Sequence, residues 1–193
     1  MTNKNDDLVA VTEFICASRQ NLEIASAVFE QYEAAKAQII SGFFSRLANR
    51  LMNKLPGWSW EYAPAFFTER YGRFGIWKNP WKGRYRIVIE AYDWGARTIG
   101  GVWRDENTLG SAPRDPNLLA AVKQLHPGDR CVGRTWFEAE VTLRSPAADW
   151  RTPEILWRIH SDERFLGEIA NLFLDWVKAS EKMVDAAVAR LAN

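Results

Sequence analysis

Residues 84–103 read RYRIVIEAYDWGARTIGGVW, and the alternation in their first half decides the fold. Successive side chains of an extended chain point to opposite faces. Tyr85, Ile87, Ile89 and Ala91 therefore share one face, and Arg84, Arg86, Val88 and Glu90 share the other. A turn near Asp93-Trp94-Gly95 lets Thr98 to Trp103 pair back as an antiparallel hairpin. Gly100 and Gly101 either weaken that returning strand or mark a bulge in it.

The same period extends on both sides of this hairpin. In WSWEY, Trp58, Trp60 and Tyr62 alternate with Ser59 and Glu61, the pattern of a half-buried strand, and Phe74 and Ile76 suggest a further short one. Arg134 to Arg144 reads as another strand. Phe137, Ala139, Val141 and Leu143 are expected on one face, with Trp136, Glu138, Glu140 and Thr142 on the other. A Pro-, Gly-, Asp- and Asn-rich loop over 104–117 and a short helix over 117–125 separate the two clear strand regions.

Outside the sheet the period changes to three and four. Leu8, Val11 and Ile15 begin a helical stripe that Ile24, Val28, Tyr32, Ala35, Ile39, Phe43 and Leu47 continue, as two helices or one kinked helix, until Pro56-Gly57. Asn21 is a candidate cap for the second segment. At the other end a short helix covers Pro153 to Ile159. A long one runs from Asp162 to Leu191, with Ser161 as candidate cap and Phe165, Ile169, Leu172, Phe173, Trp176, Val184, Val188 and Leu191 as its apolar stripe. The expected architecture is α+β: a central, mostly antiparallel sheet flanked by long N-terminal and C-terminal helices. A single domain over 1–193 would hold a helical region (6–53), a sheet region (57–144) and C-terminal helices (153–192).

Composition narrows the function classes. The 193 residues include 25 basic and 24 acidic ones, a net charge of +1, so binding to nucleic acid or an anionic surface requires a local patch. Cys16 and Cys131 stand far apart in no metal-type spacing. The start MTNKNDDLVAV has no signal-peptide pattern, and no apolar run approaches the ~20 residues of a membrane span, so a cytoplasmic, membrane-free protein is expected. The ten tryptophans either build a core or mark a partner surface.

Catalytic signatures are missing. Neither GxSxG, GxxxxGK[ST] nor GxGxxG occurs, and His126 and His160 are isolated from any cysteine cluster. No catalytic residue, cofactor or resident metal is expected. Glu90, Glu138 and Glu140 form the one runner-up metal constellation: on neighbouring strands their oxygens could gather around Mg²⁺ or Mn²⁺. A ladder of ion pairs with Arg84, Arg86 and Arg144 explains the same pattern. The strongest binding candidate is the acid-free stretch 70–86. There Arg70, Arg73, Lys78, Lys82, Arg84 and Arg86 interleave with Tyr71, Phe74, Trp77, Trp81 and Tyr85. Such a surface could meet phosphates and unpaired bases or an acidic protein; alternatively, its rings turn inward.

NLEIASAVFEQYEAAKAQIISGFF, WSWEY, RYRIVIEAYDWG, TIGGVW and FLGEIANLFLDWVKASEKMVDAAV occur here in that order. This layout resembles the region after the catalytic core in bacterial and phage proteins of the PD-(D/E)XK nuclease superfamily. Those nucleases hold Mg²⁺ with a strand acid followed by an acid-x-Lys triplet. Here Glu90 is followed by Ala91-Tyr92 and Glu138 by Ala139-Glu140, so no catalytic residue carries over. The resemblance implies an accessory region without its nuclease. The resulting expectation is a non-enzymatic macromolecule-binding protein, an inhibitor or adaptor of a nucleic-acid-processing or CRISPR-type defence complex, by analogy with compact anti-CRISPR proteins. Its partner would be a protein or a protein–nucleic-acid complex, with direct nucleic-acid contact or homodimerisation also open. The alternatives are a diverged metal-dependent nuclease and a module that assembles through its terminal helices.

Overall fold

A computed structural model describes residues 4–63, 71–92, 95–110 and 112–191, and the side chains among these from residue 7 onward. Two helices open the chain, α1 (Lys4–Cys16) and α2 (Arg19–Met52). Ser18 Oγ accepts from the Asn21 amide at 3.0 Å, so Ser18 takes the capping role that the sequence offered to Asn21. The Asn21 side-chain amide instead donates to the Phe14 carbonyl at 2.7 Å, closing the end of α1. The chain forms two compact units, residues 1–38 and 39–193, with the boundary inside α2. In the first unit Leu8, Val11, Phe14, Leu22, Val28 and Phe29 are exposed.

The second unit is an α+β domain around one six-stranded sheet. Its strands are β1 (Trp58–Tyr62), β2 (Tyr71–Lys78), β3 (Tyr85–Tyr92), β4 (Arg97–Arg104), β5 (Cys131–Arg134) and β6 (Phe137–Thr142). All neighbours are antiparallel, in the order β1-β2-β3-β4-β6-β5. The remaining helices are α3 (Glu106–Leu109), α4 (Pro116–Leu125), α5 (Pro153–Ser161) and α6 (Glu163–Leu191). Asp162 caps α6, its Oδ1 accepting from the Arg164 and Phe165 amides at 2.9 and 3.1 Å. Ser161, one residue earlier, donates to the Trp157 carbonyl and continues α5 instead.

One face of the sheet is sealed. Phe74, Ile76, Ile87, Ile89, Ala91, Val102, Ala139 and Val141 meet residues from α2, α4, α5 and α6 in the main core. Phe44 stacks on Phe74 (5.0 Å between ring centroids, 12° between planes) and on Trp150 (5.5 Å, 7°). The fully buried indoles satisfy their N–H groups: Trp81 donates to Asp185, Trp150 to the Ala147 carbonyl and Trp176 to His126 Nε2. Gly100 has a packing reason. A Cβ there would lie 2.4 Å from Trp176 Cη2, so its absence lets α6 rest on the bare backbone of β4. Gly101 has φ +128°, and a Cβ would lie 2.2 Å from the Ala139 carbonyl oxygen across the β4–β6 ladder.

No helix among the described residues is long and apolar enough to cross a membrane.

Candidate functional site

The other face of the sheet carries a second, smaller apolar cluster of Val88, Ile99, Trp103 and Phe137. The strand register fixes which side chains join it. Arg73 lies opposite Glu90, Tyr71 opposite Tyr92 and Arg86 opposite Trp103, each one residue out of phase with the sealed side. No described helix of residues 39–193 contributes to this cluster, whereas α2 to α6 all supply residues to the main core. A cleft of about 490 Å³ opens here. Tyr71 and Tyr92, in edge contact at 5.1 Å, line part of it, as do Trp103 and Trp136, stacked at 6.1 Å and 13°. Tyr71 and Trp136 remain 45% and 41% exposed.

The charged groups of the lining are Arg73, Arg134, Glu90 and Glu140, and Arg86 and Arg97 stand over two of its rings. The Arg73 guanidinium sits 4.7 Å from the centre of the Trp103 ring. Arg86 lies 5.4 Å from the same ring and 4.9 Å from that of Trp77, and it also pairs with Glu61. Such contacts hold a guanidinium against an aromatic face and leave its edge free for hydrogen bonds. Glu140 is held by Arg134 at 3.2 Å and approached by Arg97 at 4.0 Å. Glu90 differs. It is 7% exposed and has no hydrogen bond or ion pair among the described residues. Burial pushes its carboxyl up to about 7; Arg73 opposes the shift and Glu140 adds to it. Arg73 Nη1 is likewise buried with no acceptor.

The basic–aromatic segment of the sequence is divided between the two faces. Arg73 and Arg86 reach the helix-free side, and Trp77, under the Arg86 guanidinium, also packs against the main core. Trp81 and Lys78 do not: Trp81 is fully buried, and Lys78 binds Asp185 and Glu181 of α6. Lys78 shares the β2 face of Phe74 and Ile76, and Trp81 follows in the 3-10 turn at Asn79–Trp81. Lys82 is exposed and Arg84 half-buried in the turn that follows, and Arg70 lies outside the described residues.

The three glutamates also part company. β6 carries one extra residue relative to both neighbours, since Val102 and Trp103 face Ala139 and Phe137, and Val132 and Arg134 face Glu140 and Phe137. This bulge breaks the alternation on which a shared face for Glu138 and Glu140 rested. Phe137 turns to the helix-free side. Glu138 turns to Arg104, a fully buried guanidinium 3.0 Å away that also donates to the Gly110 and Ala112 carbonyls. Glu90 and Glu140 stay together in the cleft. No group of three or more His, Cys, Asp or Glu side chains that could hold a metal ion occurs among the described residues.

Trp103, Trp136, Tyr92, Arg97 and Arg134 were not singled out from the sequence. For Trp103 and Arg97 the signal was present, because extending the β3 alternation through the hairpin puts both on the side of Arg86 and Glu90. Trp136 was assigned the face of Glu140 by alternation, and both line the cleft, although a bulge lies between them.

No protein-family model, curated protein or solved structure matches this chain. Fold and site define an α+β domain whose antiparallel sheet is packed by helices on one side and presents an aromatic, arginine- and glutamate-lined cleft on the other.

Proposed function

We propose that this is a non-enzymatic binding protein whose partner docks on the helix-free face of the sheet. The observation that carries this reading is the cleft itself. It is concave, partly apolar and lined by a few charged groups, which is the make-up of a recognition site. Tyr71 and Trp136 are the exposed anchors, since large amphipathic rings dominate interface energetics. The sequence resemblance suggests the setting, a nucleic-acid-processing assembly that the protein blocks or adapts. Trp136→Ala is expected to lose the partner captured from a native lysate treated with and without nuclease. Trp157→Ala, altering a 69% exposed ring on α5, is expected to retain it. Equal capture by both variants would contradict the reading.

Self-association is a compatible second reading, favoured by the exposed Leu8, Val11, Phe14, Leu22, Val28 and Phe29 of the first unit. Apolar surface of this extent commonly marks an interaction site. Light scattering across a concentration series is expected to show a mass that rises with concentration. A constant monomer mass would remove this reading.

A further inference from the structure

We propose that the first unit pairs with the same segment of a second copy of this chain as an antiparallel two-helix coiled coil over residues 8–36. This rests on the self-association reading and adds the partner's identity and direction. Leu8, Ile15, Leu22, Phe29 and Lys36 recur every seven residues, and Val11, Ser18, Ala25 and Tyr32 each follow three residues later. These are the a and d positions of a heptad repeat, whose period keeps one seam turned toward a partner helix. The spacing runs unbroken through the junction of α1 and α2 at Ala17-Ser18. Leu22, Phe29 and Tyr32 are 58%, 85% and 44% exposed, and α1 makes no extended contact along α2 among the described residues. Helices take most of their stability from packing an apolar face, so a seam of this length calls for a cover.

Area and charge favour a second copy as that cover. The exposed side chains along the seam and beside it, Phe14 and Val28 included, present on the order of 800 Å² in one copy; two copies would then bury on the order of 1,600 Å², the standard size of a specific interface. Residues 1–38 hold three basic and six acidic side chains, a net −3, whereas helices that lie on anionic membranes are rich in lysine and arginine. Glu13, Glu23 and Glu30 all fall outside the a and d positions, so they do not oppose pairing across the seam.

Side-chain size sets the direction. Every a position is large, and the two small residues, Ser18 and Ala25, are both at d. A parallel pair sets each layer against itself. Phe29 then crowds Phe29, while Ser18 and Ala25 leave thin layers between thick ones. It also sets Lys36 against Lys36, and like charges facing across a seam are unfavourable. An antiparallel pair sets a against d, so Ser18 and Ala25 each meet a large side chain and no lysine meets its own copy.

Light scattering of the full chain across a concentration series is expected to rise from one chain to two. Leu22→Glu with Phe29→Glu should hold the mass at one chain. Both side chains are exposed in the single chain, so a thermal melt should show residues 39–193 still folded. Spin labels report the direction, placed in a Cys16→Ser background where the remaining Cys131 is buried. Thr12→Cys mixed with Glu33→Cys should give a short distance between copies that Thr12→Cys alone lacks. At 1.5 Å of rise per residue, the 21 residues between these sites correspond to about 30 Å, enough to separate the two directions. A short distance in Thr12→Cys alone would show a parallel pair; this inference then falls and self-association stands. A mass that settles above two chains overturns the two-helix pairing in the same way. If the mass stays at one chain, or if the double variant pairs as well as wild type does, self-association through the first unit falls with it.

Discussion

Phe44 and Trp103 lie against opposite faces of the same six strands and are held in different ways. Phe44 is ring-on-ring with Phe74 and Trp150 inside a continuous apolar core. Trp103 belongs to a small cluster and touches two guanidinia and one partly exposed indole. The sealed face is fixed by dispersion and area, which have no ligand requirement. The helix-free face is held by charged groups whose pairing among the described residues is incomplete, with Arg73 Nη1 buried without an acceptor. Unmet hydrogen bonds are a poor way to build stability and a good way to prepare a surface for a partner.

Substitutions on the two sides should separate accordingly. The largest effect is expected from Phe44→Ala, which removes a fully buried ring and should cost about 3–5 kcal/mol in chemical denaturation. Arg104→Ala strands the buried Glu138 carboxylate and should cost about as much, roughly 3–5 kcal/mol. The double change Arg104→Met with Glu138→Leu removes both charges and should recover most of that loss.

On the open side Glu90→Gln has the opposite sign. A carboxyl raised from its ordinary value to about 7 binds its proton more tightly in the folded state than in the unfolded chain. Stability therefore falls as pH rises from the ordinary glutamate range through about 7, by an amount on the order of 3 kcal/mol. Glu90→Gln should flatten this part of the pH–stability curve and stabilise the protein at pH values above it. An unchanged slope would show that Glu90 is solvated or paired. Gly100→Ala tests how closely the helix layer approaches and should cost about 1–3 kcal/mol as Trp176 is displaced. Trp136→Ala should change stability least, by about 1 kcal/mol or less, because the ring is already half in water.

The sealed face was legible in the sequence because burial leaves a period. Tyr85, Ile87, Ile89 and Ala91 all reach the core that their alternation assigned them, and Phe165, Ile169, Phe173 and Trp176 do the same at helical spacing. The open face was only partly legible. Arg86 and Glu90 fell on the correct side by the same alternation, but a basic, aromatic run cannot show where the backbone turns. Trp81 therefore looks surface-bound in the sequence and is buried in three residues of 3-10 turn, while Lys78 is on the core side by the alternation of β2 and pairs with α6. The bulge in β6 was hidden for a related reason. One extra residue changes the facing of Phe137 and Glu138 without changing the composition around them. Gly100 is the intermediate case: its place in a strand flagged something unusual, and only the neighbouring helix shows that the reason is Trp176.

The indole N–H resonances of the ¹⁵N-labelled protein give the most direct test of where recognition occurs, because the two faces contribute separate tryptophans. When the lysate-captured partner is added, the Trp103 and Trp136 signals should shift or broaden, while those of Trp150, Trp157 and Trp176 stay in place. Perturbation confined to Trp157, or to the indoles of the helix-packed side, would contradict the assignment of the helix-free face as the binding surface.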